Sequence, residues 1–151
     1  MGASAPYKNE KMKAQDLMIG DWLYLGETDI AVKVVAISAD CDDTILVKYR
    51  CQDMDKFGRY GEMVGPEDVT PIPLTPEILE KNRFESDTNV FGYSDYELSN
   101  DFILENRGER FCLSRLINGH KSSTFFIVDI HFVHELQRAL KLCWIEHDIK
   151  L

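Results

Sequence analysis

The chain has 151 residues, a formal net charge of -9, 44% hydrophobic residues and 28% charged ones. That is the size of one ordinary domain or of two small ones, with enough apolar content to exclude disorder over most of the length. No stretch reaches the roughly 18 consecutive apolar residues of a membrane-spanning helix, and an acid excess shared by both halves discourages attraction to nucleic acid and anionic membranes.

Residues 1–12, MGASAPYKNEKM, are expected to form a flexible leader without the apolar core of a secretory signal, and cytoplasm is the expected location. Residues 13–74 read as short strands separated by tight turns. Gly20-Asp21 and residues 26–29 punctuate the first of these, which holds Trp22, Leu23, Tyr24 and Leu25. Residues 30–37 and 44–51 follow as β-rich runs, with Val32 and Val34 on one face. The span 52–65 is a hairpin or loop in which Met63 and Val64 can supply a short strand. Pro71 and Pro73 force an extended closing segment. This pattern, led by an apolar pair and Gly20-Asp21-Trp22, resembles the start of SH3-like barrels, so a small antiparallel barrel is expected over 13–74.

Residues 75–151 are expected to form a second region of sheet and helix. Thr75-Pro76 is a sharp helix start, with Thr75 as cap, Pro76 in the first helical position and Asn82 at the end. Strands are then expected around Val90, Phe91 and Tyr93, across 96–104 and across 110–117. Asn118-Gly119 makes a tight hairpin leading into 124–128. A three- or four-stranded meander follows, covered by the last helix. Phe125, Phe126, Ile127 and Val128 read as a buried strand. Asp129 is expected to cap a helix whose apolar stripe runs Ile130, Val133, Leu136, Leu140, Cys143 and Trp144. The fold class is therefore α+β.

Chemistry is sparsely signalled. His131, His134 and Glu135 form the one notable cluster, expected to lie away from the apolar stripe together with Arg138. His134-Glu135 opens like the zincin HExxH, but Arg138 stands where the second histidine belongs and repels a cation. A surface helix with a Glu135–Arg138 pair is the plainer reading, and a metal-dependent enzyme built on His131, His134 and Glu135 is the alternative. Asp40, Asp42 and Asp43 lack the length and terminal glutamate of a calcium loop. Cys41, Cys51, Cys112 and Cys143 make no close pair, which argues against a zinc knuckle or redox dithiol; Cys112 and Cys143 read as buried hydrophobes. There is no phosphate-binding glycine loop and no nucleophile elbow. No catalytic, cofactor-binding or metal residue is nominated, and no cofactor is expected. Trp22, Tyr24, Tyr49, Phe57 and Tyr60 could line a groove on the first half. The partner expected is a protein. Nucleic acid is the runner-up, and would need Lys33, Lys48, Arg50, Lys56 and Arg59 to converge.

Three segments carry a wider resemblance: residues 17–22 with Ile19-Gly20-Asp21-Trp22, residues 71–79 reading PIPLTPEIL, and residues 133–137 reading VHELQ. In these the chain resembles a group of small proteins from genomes and prophage regions of gut Bacteroidetes, to which no activity is assigned. The resemblance implies a mobile-element origin and carries no functional residue across.

Overall fold

The computed structural model describes residues 12–13, 16–39, 45–51 and 63–151. Side chains at 38–39, 45–51, 63–64 and 121–122 are outside the description. So are the expected leader up to residue 11, the turn expected at Asp40, Asp42 and Asp43, and the hairpin or loop expected to bear Lys56, Phe57, Arg59 and Tyr60. The architecture is α+β: two antiparallel sheets and a C-terminal helix. The chain divides into two compact units, Met1–Ile72 and Pro73–Leu151.

The first unit holds β1 (Trp22–Leu25), β2 (Ala31–Ala39), β3 (Ile45–Cys51), β4 (Met63–Val64) and β5 (Val69–Pro71), with a 3₁₀ turn at Pro66–Asp68. The sheet order is β4-β3-β2-β1-β5. Leu17, Leu23, Val32, Val34 and Val69 form its core, with Met12, Leu25, Ile30 and Ile37 packed against them. The barrel expected over 13–74 does not close among the described residues: β4 and β5 are opposite edges of an open sheet. Strand β4 is two residues long, and the 3₁₀ turn that follows it carries the chain to the far edge, where Pro71 pairs with Leu23. Proline offers no ladder N–H, which suits an edge.

The second unit contains α1 (Pro76–Lys81), β6 (Glu85–Thr88), β7 (Ser94–Glu97), β8 (Phe102–Asn106), β9 (Phe111–Ile117), β10 (His120–Ile130) and α2 (Val133–Leu142). Its sheet runs β10-β9-β8-β7-β6, five strands rather than three or four. Helix α1 begins as its sequence demands: Thr75 Oγ1 accepts from the Ile78 amide at 3.4 Å, Pro76 is in the first turn, and Asn82 caps the end. Asn118 and Gly119 both take positive φ, 55° and 71°, the two left-handed residues that a type I′ hairpin requires.

Three local expectations are overturned. The strand expected at Val90, Phe91 and Tyr93 is a turn, because Asn89 organises it: Asn89 Oδ1 accepts from the amides of Phe91 (2.9 Å) and Tyr93 (3.1 Å). Its Nδ2 donates to Asp95 Oδ1 and to the Asn106 carbonyl, each at 2.9 Å. Asn and Asp side chains compete with extended structure in this way. The last helix starts at Val133, not after Asp129, because β10 continues through Ile130; Phe132 is its N-cap residue. Val133, Leu136, Ala139 and Leu140 are buried as the helical stripe requires, but Trp144 lies past the helix end with φ 58° and is 94% exposed.

Candidate interaction surface

The four apolar residues read from sequence as a buried strand are on the outside. Phe125, Phe126, Ile127 and Val128 are 66, 56, 44 and 45% exposed. Among the described residues their strand, β10, is the edge of the second sheet and pairs with β9 alone. The register pairs Phe125 with Arg115, Phe126 with Ser114 and Val128 with Leu113. An irregularity between Phe126 and Val128 leaves Ile127 as the extra residue of a bulge. Ile117, at the end of β9, is exposed as well. A run of β-branched and aromatic residues is a good strand former whether or not it is covered. Here its inner neighbours on β9, Cys112, Leu113 and Ser114, take the burial and the edge strand is left outside. Isolated exposed hydrophobes are ordinary, but four in succession on a strand with an open backbone edge are not.

The histidine cluster resolves differently from its sequence reading. Glu135 Oε1 accepts hydrogen bonds from the backbone amides of His131 and Phe132, both at 3.0 Å. It therefore serves the helix start, satisfying amides left over at its first turn. His134 was expected beside the outward residues and is instead buried, its ring stacked on Phe132 with centroids 5.8 Å apart and planes 10° from parallel. His134 follows the fully buried Val133 in the first turn of the helix and shares its burial. His131 is half-buried and lies against Phe132. No group of three or more His, Cys, Asp or Glu among the described residues is placed to hold a metal ion.

A second polar cluster escaped the sequence reading. On β9 and β10, Cys112 Sγ donates to Asp129 Oδ1 at 3.2 Å, and Arg110 Nε lies 3.5 Å from the same oxygen. Cys112 and Asp129 are direct cross-strand partners, so the signal needed was the register rather than the spacing. Burial first, and then the Asp129 carboxylate, push the Cys112 thiol above its ordinary value. A thiol held protonated is a poor nucleophile, and the cluster serves as a cross-strand tie.

In the first unit, Trp22 on β1 faces Lys33 on β2 in register, with Lys33 Nζ 5.5 Å from the ring centroid. Tyr24 lies two residues along the same strand, its hydroxyl pushed to higher pKa by burial and then by Asp29. Of the five candidate bases, Lys33 has a described side chain. Lys48 and Arg50 have described positions on β3, and Lys56 and Arg59 lie outside the described residues. No helix among the described residues is long and apolar enough to cross a membrane.

Protein-family models, curated proteins and solved structures were each compared with the chain, and none matches it.

Proposed function

We propose that the protein is a small, non-catalytic binding or structural-accessory protein whose partner is a protein docked on the β10 edge. The observation that carries the proposal is the run Phe125, Phe126, Ile127 and Val128, exposed on a strand whose outer backbone pairs with no other strand among the described residues. Such an edge recognises an extended segment through main-chain hydrogen bonds, with side-chain contacts supplying selectivity. The net charge of -9 favours a protein over a nucleic acid.

An SH3-like reading of the first unit is part of the proposal. It is supported by a meander whose last strand returns beside the first, after a 3₁₀ turn. The pair Trp22 and Lys33 and the neighbouring Tyr24 would then be a second, aromatic contact face on that unit.

The test is affinity capture by the full chain at physiological salt, comparing wild type with Phe126→Lys and quantifying protein, DNA and RNA in each eluate. A protein partner that is captured by wild type and lost with Phe126→Lys supports the proposal. Nucleic acid recovered equally by both, and released uniformly as salt rises, would replace it with the nucleic-acid reading.

A further inference from the structure

We propose that the strand received by the β10 edge is β10 of a second copy, paired antiparallel about a two-fold axis to continue the five-stranded sheet across the dimer. This rests on the reading above that the edge is a docking strand.

The geometry favours self-pairing over an unrelated strand in two ways. First, a two-fold antiparallel arrangement uses the same patch on both molecules and closes on itself. Centred on the peptide between Phe126 and Ile127, it sets Phe125 opposite Val128 of the second copy and Phe126 opposite Ile127. Each exposed apolar side chain then meets another. Second, a bulge ordinarily turns an edge away from foreign strands. The irregularity between Phe126 and Val128 falls at this axis, so the second copy brings the same bulge to the same level and the local twists match.

The area fixes the strength. At the exposures given above, the four side chains offer roughly 400 Å² per copy. A standard interface buries about 800 Å² per partner, so the apolar patch supplies about half and the backbone edge with its flanking residues must supply the rest. That places the dimer among reversible, concentration-dependent assemblies rather than obligate ones. Two chains of net charge -9 repel each other, so added salt should tighten the dimer by screening.

Sedimentation equilibrium of the full chain, from low micromolar to near millimolar concentration, tests this. Wild type is expected to rise from 17.4 kDa towards twice that mass, more readily at higher salt. Phe126→Lys and Ile127→Lys each place a charge at the axis and should weaken association at least about tenfold. Both positions are exposed, so the urea midpoint should hold, and Val90→Lys on the exposed 89–93 turn should dimerise like wild type. A wild type that stays at monomer mass throughout, or lysine variants that associate equally well, would overturn the proposal. If wild type is monomeric yet captures a protein that Phe126→Lys loses, self-pairing fails and the docking reading stands. If that capture is also unaffected by Phe126→Lys, both fail.

Discussion

Asn82 and Lys150 hold each other by two hydrogen bonds: the Lys150 amide donates to Asn82 Oδ1 at 2.7 Å, and Asn82 Nδ2 donates to the Lys150 carbonyl at 2.7 Å. The same Nδ2 reaches the Ile78 carbonyl at 2.8 Å, and Asn82 is buried. One side chain thus caps α1 and ties down the last residues of the chain, where Ile149 is also buried and His147 stacks on Phe84 at 4.3 Å. Asn82→Ala leaves several backbone groups without these partners and should cost about 2–3 kcal/mol. Urea unfolding measures the loss, and faster proteolysis of the tail should accompany it.

Trp144 should be destabilising where it stands. Helix α2 ends in a Schellman turn: the Ile145 amide donates to the Leu140 carbonyl at 2.9 Å and the Trp144 amide to the Lys141 carbonyl at 3.2 Å. Trp144 itself takes φ 58°, which favours glycine and penalises a bulky side chain. The indole is almost fully exposed and buries little in return. Trp144→Gly is expected to raise the unfolding free energy by about 1 kcal/mol. A loss of stability would show that the ring packs more than its exposure indicates.

Leu140→Ala should cost about 2–5 kcal/mol, from lost transfer energy and the cavity left behind. His134→Ala should also be costly, on the order of 1–3 kcal/mol, because the ring is buried and stacked on Phe132. The expectation from sequence alone, that His134 lies away from the apolar stripe, predicts a loss much smaller than that of Leu140→Ala. The two variants, unfolded in urea side by side, decide between these accounts.

Alkaline pH should weaken the fold. The Cys112 thiol is pushed up from 9.0, chiefly by burial and then by Asp129. The Tyr96 hydroxyl is pushed up from 10.0, chiefly by burial and then by Glu80. In the unfolded chain these groups give up their protons first. Their contribution is whole below the unfolded values and is lost as pH rises through them towards the folded ones. The denaturant midpoint should therefore begin to fall above about pH 9. Cys112→Ala should delay that onset, and an identical pH profile in the variant would assign it elsewhere.

What could be read from sequence was what is locally determined. Thr75, Pro76 and Asn82 announce α1, and Asn118-Gly119 announces its hairpin, because each acts through its own backbone and nearest amides. The readings that failed depended on neighbours distant in sequence. The apolar content of residues 125–128 marks a strand, but whether that strand is central or at an edge depends on its place beside β9. The helical period was carried through Cys143 into Trp144, past a turn whose left-handed residue is not glycine. Asn89 captured the amides of Phe91 and Tyr93 and made a turn of an apolar segment. The candidate surface was thus visible as a notable stretch and misjudged as core. Cys112 and Asp129 needed the strand register to bring them together.

On the proposal made above, the outer edge of β10 is open in the isolated chain and closed by association. Amide hydrogen exchange of a peptide spanning residues 120–130, followed as a function of protein concentration, tests it most directly. The outer backbone amides, those not bonded to β9, should exchange rapidly in dilute solution and slow as concentration rises, while the remainder of the sheet is unchanged. Phe126→Lys should keep them fast at every concentration. Outer amides already protected in dilute monomer, or exchange that ignores both concentration and the Phe126→Lys substitution, would contradict the account.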